Sequence, residues 1–402
     1  MFYHFQSFVV CFMRVLSLFS GCGGFDLGFI QAGHEIVCAI DFFTDAVNTY
    51  TLNIGNHIIN SDIRKIKSED LPNDIDIVLG GFPCQGFSVS NNNRKEEDER
   101  NFLYREMLRI IKDKQPKFFV AENVLGILSL AGGKVFQMIL NDFSNLGYKV
   151  EYRVLLASDY GVPQNRQRVI ILGNKLNKEN KFPAQTHYAQ ASIFSSNEHI
   201  STKQAIGFLA DVPLNNSSFD LNGVLIHNHI ANVNVSDVFL KRKYDVDQKE
   251  IADYLLENKK ISISKIDKIL GYNHTASHWF RKDAYGSLPT KEDWIALKEI
   301  LNFDDTYDEK MLTFEEKTIT FDQTLRISNW DSPSDTLTAS GPEIHPNKQR
   351  RLSVRECAII QGFPMDFVFT GCLSTMYKQI GNAVPPPLAY AIAKELSTSL
   401  HH

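Results

Sequence analysis

Three short segments carry residue types that could do chemistry; the first two lie at the end of an apolar stretch typical of a strand, and the third leads into one. Gly80–Ser88 contains Cys84, whose thiolate would be the strongest nucleophile among the side chains. Ala121–Val124 offers the carboxylate of Glu122, which could hold or transfer a proton. Gln164–Arg168 contains alternating arginines that a strand would point to one side.

Each of these segments also has a purely structural interpretation. A buried, inert cysteine is the more common outcome, although the glycines before Cys84 and the polar Gln85 after it make a poor setting for a core position. Glu122 could lie at a solvated strand end, and Arg166 with Arg168 could be ordinary surface cations. Taken singly, the segments leave the function open.

A fourth segment, Phe19–Phe25, is rich in glycine and lies between a predicted strand and a helix-like run. Its glycines permit a tight turn and a close backbone approach to a ligand at a helix N-terminus, without the Gly-x-Gly-x-x-Gly spacing of a pyrophosphate site. Asp41 and Asp62 each follow a predicted strand. They could accept hydrogen bonds from ribose hydroxyls or an adenine amine, or could equally cap a helix.

The elements that must position these segments are strands alternating with helices. This pattern predicts an α/β domain with a mostly parallel sheet and helices on both faces. The expected strands are 14–18, 36–40, 75–79, 117–121, 149–156 and 168–172, and the expected helices are 45–52, 102–113, 134–146 and 387–396. We predict a catalytic and cofactor-binding domain at 13–183, a smaller lobe at 184–330, and a C-terminal segment at 331–402 that rejoins the first domain.

Composition sets weaker bounds on the function. The 402 residues are 43% hydrophobic and 22% charged, which is typical of a globular protein. The net charge of −5 argues weakly against nucleic acid, but a basic cleft can lie within an acidic surface. The six cysteines form no Cys-x-x-Cys pair, so neither a disulfide framework nor a metal site is indicated, and a reducing cytoplasm fits. The strand pattern begins just after Met13, which makes Met13 an alternative start to Met1.

The four segments, in this order, resemble the DNA (cytosine-5) methyltransferase family of bacterial restriction-modification systems. Later segments also resemble that family: Ser334–Ala339, Arg351–Cys357 with Gln361–Pro364, and Gln379–Pro386. The likeness covers both ends of the chain and skips the middle. It implies the Rossmann-like fold of S-adenosylmethionine-dependent methyltransferases.

The resemblance implies a mechanism. Cys84 would add to carbon 6 of a cytosine, and Glu122 would hold or protonate ring nitrogen 3, so that carbon 5 becomes nucleophilic. Arg168 would bind oxygen 2 of the base, and Arg166 a nearby phosphate or the catalytic loop. The base must be extruded from the duplex to reach the pocket, at a cost of a few kcal/mol.

The resemblance also implies that S-adenosyl-L-methionine is the cofactor. Its methionine part would lie over Phe19–Gly24, its ribose on Asp41 and its adenine amine on Asp62. Ala383 departs from the serine more usual in the family, which removes one hydroxyl contact. The implied contacts are Phe19, Ser20, Gly21, Gly23, Gly24, Phe25, Asp41, Phe42, Asp62, Ile63, Pro83, Leu103, Asn382 and Ala383.

The middle lobe carries a helix–glycine–helix pattern at 262–301 that predicts a helix-turn-helix. The alternative is a structural insert whose polar residues face water. Double-stranded DNA is the expected partner of this lobe and of the loop around Cys84. The candidate DNA contacts are Gln85, Ser88, Asn273, His274, Ser277, His278 and Arg281.

Two other functions remain open from the sequence. An RNA cytosine-5 methyltransferase would use the same catalytic set, but the long middle lobe and the Gly80–Ser88 pattern favour DNA. A DNA-binding regulator that keeps the fold would predict the loss of Cys84, Glu122 or Arg168, and all three are present.

We further expect a monomer that contacts no membrane, with a cognate restriction endonuclease that acts on the same DNA site without forming a stable complex.

Overall fold

The computed structural model describes residues 12–83, 103–190, 197–233, 305, 327–339, 341–347 and 350–401. The strands are β1 Arg14–Leu18, β2 Glu35–Asp41, β3 Ile58–Asn60, β4 Ile77–Gly80, β5 Phe118–Val124, β6 Lys149–Leu156, β7 Gln167–Asn174, β8 Phe219–Leu221 and β9 Val224–Ile226. The α-helices are α1 Gly24–Gln31, α2 Thr44–Asn53, α3 Leu103–Lys114, α4 Lys134–Asn145, α5 Thr202–Ile206, α6 Val354–Ile360, α7 Leu373–Asn382 and α8 Pro386–His401. None of the described helices is long and apolar enough to cross a membrane.

The first seven strands form one sheet in the order β3-β2-β1-β4-β5-β7-β6. Strands β1 to β5 pair in parallel, whereas β7 runs antiparallel to both β5 and β6. The mostly parallel sheet predicted from the sequence is therefore confirmed. The chain places β2 and β3 on one side of β1 and β4 on the other, so a topological switch point lies between β1 and β4.

Helices cover both faces of this sheet, as predicted. Successive residues of a strand point to opposite faces, so the sheet contributes to two hydrophobic cores. One core contains Val15 and Leu79 with Phe29 of α1 and Leu388 of α8. The other contains Leu16, Val78 and Phe119 with residues of α3 and α4, namely Met107, Ile110, Ile111, Ile139 and Phe143.

Most predicted bounds agree with the structure, and two elements differ. The predictions for β1 and β6 match the observed bounds, and those for β2, β4, β5 and β7 differ by up to three residues at either end. Strand β3 is indicated by the sequence only as a strand before Asp62, without bounds, because its three residues are too few for an alternating pattern. The C-terminal helix begins at Pro386 and extends to His401, five residues beyond the predicted end.

The chain divides into two compact units. Unit 1 comprises 1–230, 329–341 and 354–402 and contains the sheet; unit 2 comprises 231–328 and 342–353. Within the described part of unit 2, Ile344 pairs with Ile327 and Arg351 in isolated β-bridges. The helix-turn-helix predicted at 262–301 lies outside the described residues, and the domain boundaries drawn from the sequence stay a prediction.

Glycine at position 28 lets α1 pack directly on α8. A methyl group added at Gly28 would overlap the Ala389 side chain and lie 2.5 Å from the Pro386 carbonyl oxygen and the Tyr390 amide. The surrounding atoms are mainly helix backbone, which cannot move aside locally. The N- and C-terminal parts of unit 1 are thereby held in close contact.

We expect Gly28→Ala to destabilise the protein by about 1–3 kcal/mol, the usual cost of overpacking a core. The direction of the change in stability is informative, because the same substitution inside an exposed helix stabilises a protein by about 1 kcal/mol. The matched control is Gly126→Ala, where an added methyl group meets no atom within 4 Å. Chemical denaturation with a probe of unit 1 measures both variants. An unchanged or raised unfolding free energy for Gly28→Ala contradicts the packing described here.

Candidate active site

The glycine segment Phe19–Gly24 forms the loop between β1 and α1. Phe19 and Gly21 have positive φ values of 56° and 55°, in the left-handed region that favours glycine. Ser20 donates from both its amide and its hydroxyl to the Ile40 carbonyl, each over 3.1 Å, which ties the loop to the end of β2. On the side where a residue at Gly21 would project its side chain, no atom lies within 4 Å. The loop therefore presents bare backbone to an open space.

The base of this loop is held by a buried carboxylate. Asp26, in the first turn of α1, is fully buried and accepts hydrogen bonds from the hydroxyls of Ser17 (2.5 Å) and Tyr50 (2.8 Å). Burial raises the pKa of Asp26 to about 6, although both hydrogen bonds act to lower it. A methyl group at Gly23 would lie 2.8 Å from the Tyr50 ring. The loop therefore packs closely against α2, and its backbone conformation is fixed.

Asp41 lies at the end of β2, where its carboxylate meets the glycine loop. One oxygen accepts from the Gly21 amide (2.9 Å) and the other from the Phe43 amide (2.8 Å). Burial raises the pKa of Asp41; the two backbone donors and the charge of Lys378 act in the opposite direction. The neighbouring Phe42 ring is 69% exposed. A fixed carboxylate beside an exposed aromatic ring suits a ribose and an aromatic base.

Asp62 follows β3, as expected for a polar group at the sheet edge, but it has a partner that was not predicted. Its carboxylate forms an ion pair with Arg64 over 2.6 Å and also caps the short helical turn at Ile63–Lys65 by accepting from the Arg64 amide. The hydrogen bond from the Arg64 side chain lowers the pKa of Asp62. The carboxylate is partly exposed, so it keeps access to a ligand amine.

The segment Gly80–Pro83 leaves the end of β4 beside the predicted general acid. Asn123 donates from its side chain to the Phe82 carbonyl (2.9 Å), and both residues are buried. A methyl group at Gly81 would lie 3.4 Å from Oε2 of Glu122. The backbone that leads toward position 84 is thereby fixed next to the Glu122 carboxylate.

Glu122 and Arg168 form a buried ion pair across β5 and β7. Nε of Arg168 lies 2.6 Å from Oε1 of Glu122, and about a tenth of each side chain is exposed. Because Val124 pairs with Arg168 in the antiparallel register, Glu122 is a diagonal neighbour of Arg168 on the same face of the sheet. Burial lowers the pKa of Arg168, and Glu122 opposes this effect. The pair places an oriented carboxylate and a guanidinium side by side.

Arg166 makes contacts other than those expected. Only 1% of it is exposed, and its terminal nitrogens donate to the carbonyls of Leu337 (2.9 Å) and Gly381 (2.7 Å). Burial and the charge of Arg168 lower the pKa of Arg166. The expected phosphate contact is corrected accordingly, since both terminal nitrogens are turned inward to the C-terminal segments.

The C-terminal segment that follows α7 lies on the glycine loop. A methyl group at Gly24 would lie 2.5 Å from the Val384 carbonyl oxygen and 3.1 Å from Cβ of Ala383. Asn382 ends α7 and is exposed. Ala383 therefore lies against the glycine loop, whereas the cofactor contact expected of Asn382 stays a prediction.

These groups lie at the edge of the sheet where the parallel strands end, on either side of the switch point between β1 and β4. In open α/β sheets, this crevice is where ligands bind. The glycine loop and Asp41 form one half of the site. The Gly80–Pro83 segment with Glu122 and Arg168 forms the other half. Ile63 and Leu103, also predicted cofactor contacts, pack with the hydrophobic core of this region.

Part of the predicted site lies outside the described residues. This applies to Cys84, Gln85 and Ser88, and to the candidate DNA contacts Asn273, His274, Ser277, His278 and Arg281. Among the residues that are described, no group of three or more His, Cys, Asp or Glu could hold a metal ion.

Three residues of the site were not assigned from the sequence. Asn123 had a local signal, an amide adjacent to Glu122 at a strand end. Lys378 lies over the Phe43 ring at 4.7 Å from its centroid, and its position four residues before Asn382 on α7 could have indicated a shared helix face. Gln361 is fully buried and donates to the Ala383 carbonyl, a contact that only the tertiary structure reveals.

Comparison with known proteins identifies the family. The family model described as C-5 cytosine-specific DNA methylase matches residues 13–398. Type II methyltransferase M.FnuDI of Fusobacterium nucleatum is 34% identical over 96% of this chain and 95% of that protein. Type II methyltransferase M.DdeI of Desulfomicrobium norvegicum is 33% identical over 96% of this chain and 88% of that protein.

Solved structures share the fold. A protein described as a DNA modification methyltransferase encoded within an E. coli prophage superposes with a TM-score of 0.60 at 24% identity, covering 97% of this chain and all of that chain. The Dnmt2 methyltransferase of S. pombe gives a TM-score of 0.52 at 18% identity, covering 97% of this chain and 98% of that one. The fold, the crevice and the sequence matches agree: the chain belongs to the C-5 cytosine-specific DNA methylase family.

Proposed function

We propose that this DNA cytosine-5 methyltransferase takes its methyl group from S-adenosyl-L-methionine and methylates a cytosine extruded from duplex DNA, with Cys84 bonded to carbon 6 during the reaction. The observation that carries the proposal is the Glu122–Arg168 pair, 2.6 Å apart, beside the backbone that leads to Cys84. Cys84 is the second residue after Phe82, whose carbonyl Asn123 holds. Because two peptide units span at most about 7 Å, chain connectivity allows Cys84 and Glu122 to act on the same base.

The residues of the crevice fit the cofactor. The open side of Gly21 leaves room for a ligand against the loop, and Asp41 has a carboxylate fixed by two backbone donors with lone pairs left for ribose hydroxyls. The exposed Phe42 ring offers an apolar face to an adenine, and Asp62 an acceptor for its amine. When bound there, S-adenosyl-L-methionine supplies an electrophilic methyl group for carbon 5.

The chain's own residues make carbon 5 reactive. The Cys84 thiolate forms the bond to carbon 6, and the π electrons of the carbon 5–carbon 6 bond shift into the ring. Glu122 protonates nitrogen 3, so that the addition ends in a neutral enamine rather than a ring anion. Arg168 can hold oxygen 2 while its Nε remains on Glu122. Solvent water then accepts the carbon 5 proton, and the carbon 6–sulfur bond breaks so that Cys84 leaves as the thiolate. Nitrogen 3 returns its proton to Glu122, and the aromatic ring is restored.

Another cysteine near the glycine loop is not suited to this role. Cys22 is 1% exposed, and burial raises its pKa to about 12. Its thiol therefore stays protonated at neutral pH and has no access to a base. Cys22 is thereby excluded, and Cys84, in the segment after β4, is the nucleophile we propose.

Arg166 acts in this proposal as a positioning residue, because its terminal nitrogens hold backbone carbonyls of the C-terminal segments. We further propose duplex DNA as the substrate, read by Gln85, Ser88 and the lobe around 262–301. By analogy with the Type II relatives, a cognate restriction endonuclease would act on the same DNA site. The enzyme is proposed to work as a monomer, since one chain carries both halves of the crevice.

We expect Cys84→Ala to abolish methyl transfer and to leave S-adenosyl-L-methionine binding within a few-fold of the parent, because the thiol acts on the base. Transfer of labelled methyl groups to a DNA substrate measures activity, and calorimetry measures binding. Cys372→Ala is the matched control, since Cys372 is an exposed cysteine that lies outside the proposed catalytic set. Residual turnover of Cys84→Ala above about 1% of the parent would rule out the nucleophile assignment.

We expect Arg281→Ala or His278→Ala to relax the choice of DNA sequence, because losing one bidentate base contact costs about 1–3 kcal/mol of discrimination at one base pair. Methylation of all single-base variants of the recognised site, at fixed salt, gives the measurement. A phosphate contact behaves differently and lowers the methylation of every sequence alike. Equal factors across all variants therefore contradict base reading by these residues.

A further inference from the structure

A buried row of hydrogen bonds runs from the residues just before Arg168 to the segment that lies on the glycine loop. It begins at Gln164, which is fully buried three residues before β7. Its side-chain oxygen accepts from the Leu337 amide (3.0 Å), and its side-chain nitrogen donates to Oε1 of Gln361 (2.6 Å). These partners identify which atom of the Gln164 side-chain amide is the oxygen and which is the nitrogen.

Gln361 links Gln164 to the segment that lies beside the proposed cofactor loop. It is also fully buried, and its side-chain nitrogen donates to the Ala383 carbonyl (2.5 Å). Ala383 in turn packs against Gly24, where an added methyl group would lie 3.1 Å from its Cβ. The glycine loop proposed to hold the cofactor therefore rests on a segment that Gln361 fixes.

Arg166 forms a parallel connection. It donates to the carbonyls of Leu337 and Gly381, and its own backbone accepts from the Ala157 amide (2.9 Å). Two residues further along the chain, Arg168 binds Glu122. Buried hydrogen bonds thus connect the residues just before Arg168 to Leu337 and Gly381, and Gly381 lies next to the segment that packs on the glycine loop.

We propose that Gln361, together with Gln164, is a positioning residue that couples occupancy of the S-adenosyl-L-methionine site to the affinity of the cytosine site. The inference rests on the proposed function. A buried amide that spans two segments leaves donors and acceptors unpaired if either segment shifts, which favours one joint arrangement. A ligand that binds against the glycine loop then favours the arrangement that the base requires, and the coupling is reciprocal between the two ligands.

The test measures how much S-adenosyl-L-homocysteine tightens binding of a target-site duplex. In the parent we expect the dissociation constant for DNA to fall by fivefold or more at saturating S-adenosyl-L-homocysteine. In Gln361→Met, which keeps the length of the side chain and removes its polar atoms, we expect this effect to shrink to less than twofold. Gln164→Met breaks the same bond from the other side and should behave alike, so it carries the test if the first variant does not fold.

The matched control is Gln379→Met. Gln379 is a buried glutamine on α7 that donates to the Thr370 carbonyl (2.8 Å) and takes no part in the row. It should lose stability while keeping the coupling of the parent. Coupling in Gln361→Met and Gln164→Met equal to that of Gln379→Met overturns the inference, as does a parent that methylates DNA without any coupling. A parent that neither binds S-adenosyl-L-homocysteine nor methylates DNA instead refutes the proposed function.

Discussion

A carboxylate and a guanidinium, Glu122 and Arg168, lie 2.6 Å apart with about a tenth of each side chain exposed. Removing two charges from water costs several kcal/mol, which is recovered only when the geometry is good and the remaining polar atoms are satisfied. The antiparallel pairing of β5 and β7 supplies that geometry, because its register places both residues on one face. In a sheet that is otherwise mostly parallel, this reversed strand holds the Glu122 carboxylate in a fixed position beside Arg168.

The arrangement of the rest of the crevice depends on the topological switch point between β1 and β4. Strand β4 lies on the opposite side of β1 from β2, so the glycine loop and the segment before Cys84 leave the sheet beside each other. The C-terminal segment completes the arrangement: α8 packs on α1 at Gly28, and Ala383 lies against Gly24. Residues from both ends of the chain therefore meet at a single edge of the sheet.

The sequence predicts the local parts of this site well, because each motif is a short stretch at a strand end. The proximity of Asp41 to the glycine loop and the mostly parallel sheet follow from that logic. The antiparallel orientation of β7 could not be predicted in this way, because the residue pattern of a strand is the same in either direction. The partners of Arg166 are 171 and 215 residues away, and only packing selects them. The Asp62–Arg64 pair was missed because nothing in the sequence distinguishes it from a solvated turn.

We propose Glu122 as the proton donor that makes addition to carbon 6 favourable. Glu122→Gln keeps the size and one hydrogen-bond donor but cannot transfer a proton. The most direct measurement is the release of tritium from carbon 5 of the target cytosine without a methyl donor, because this exchange reports formation of the enamine alone. We expect the exchange rate to fall by about 10²–10⁴-fold while DNA binding stays within a few-fold of the parent. An exchange rate within threefold of the parent would contradict the account.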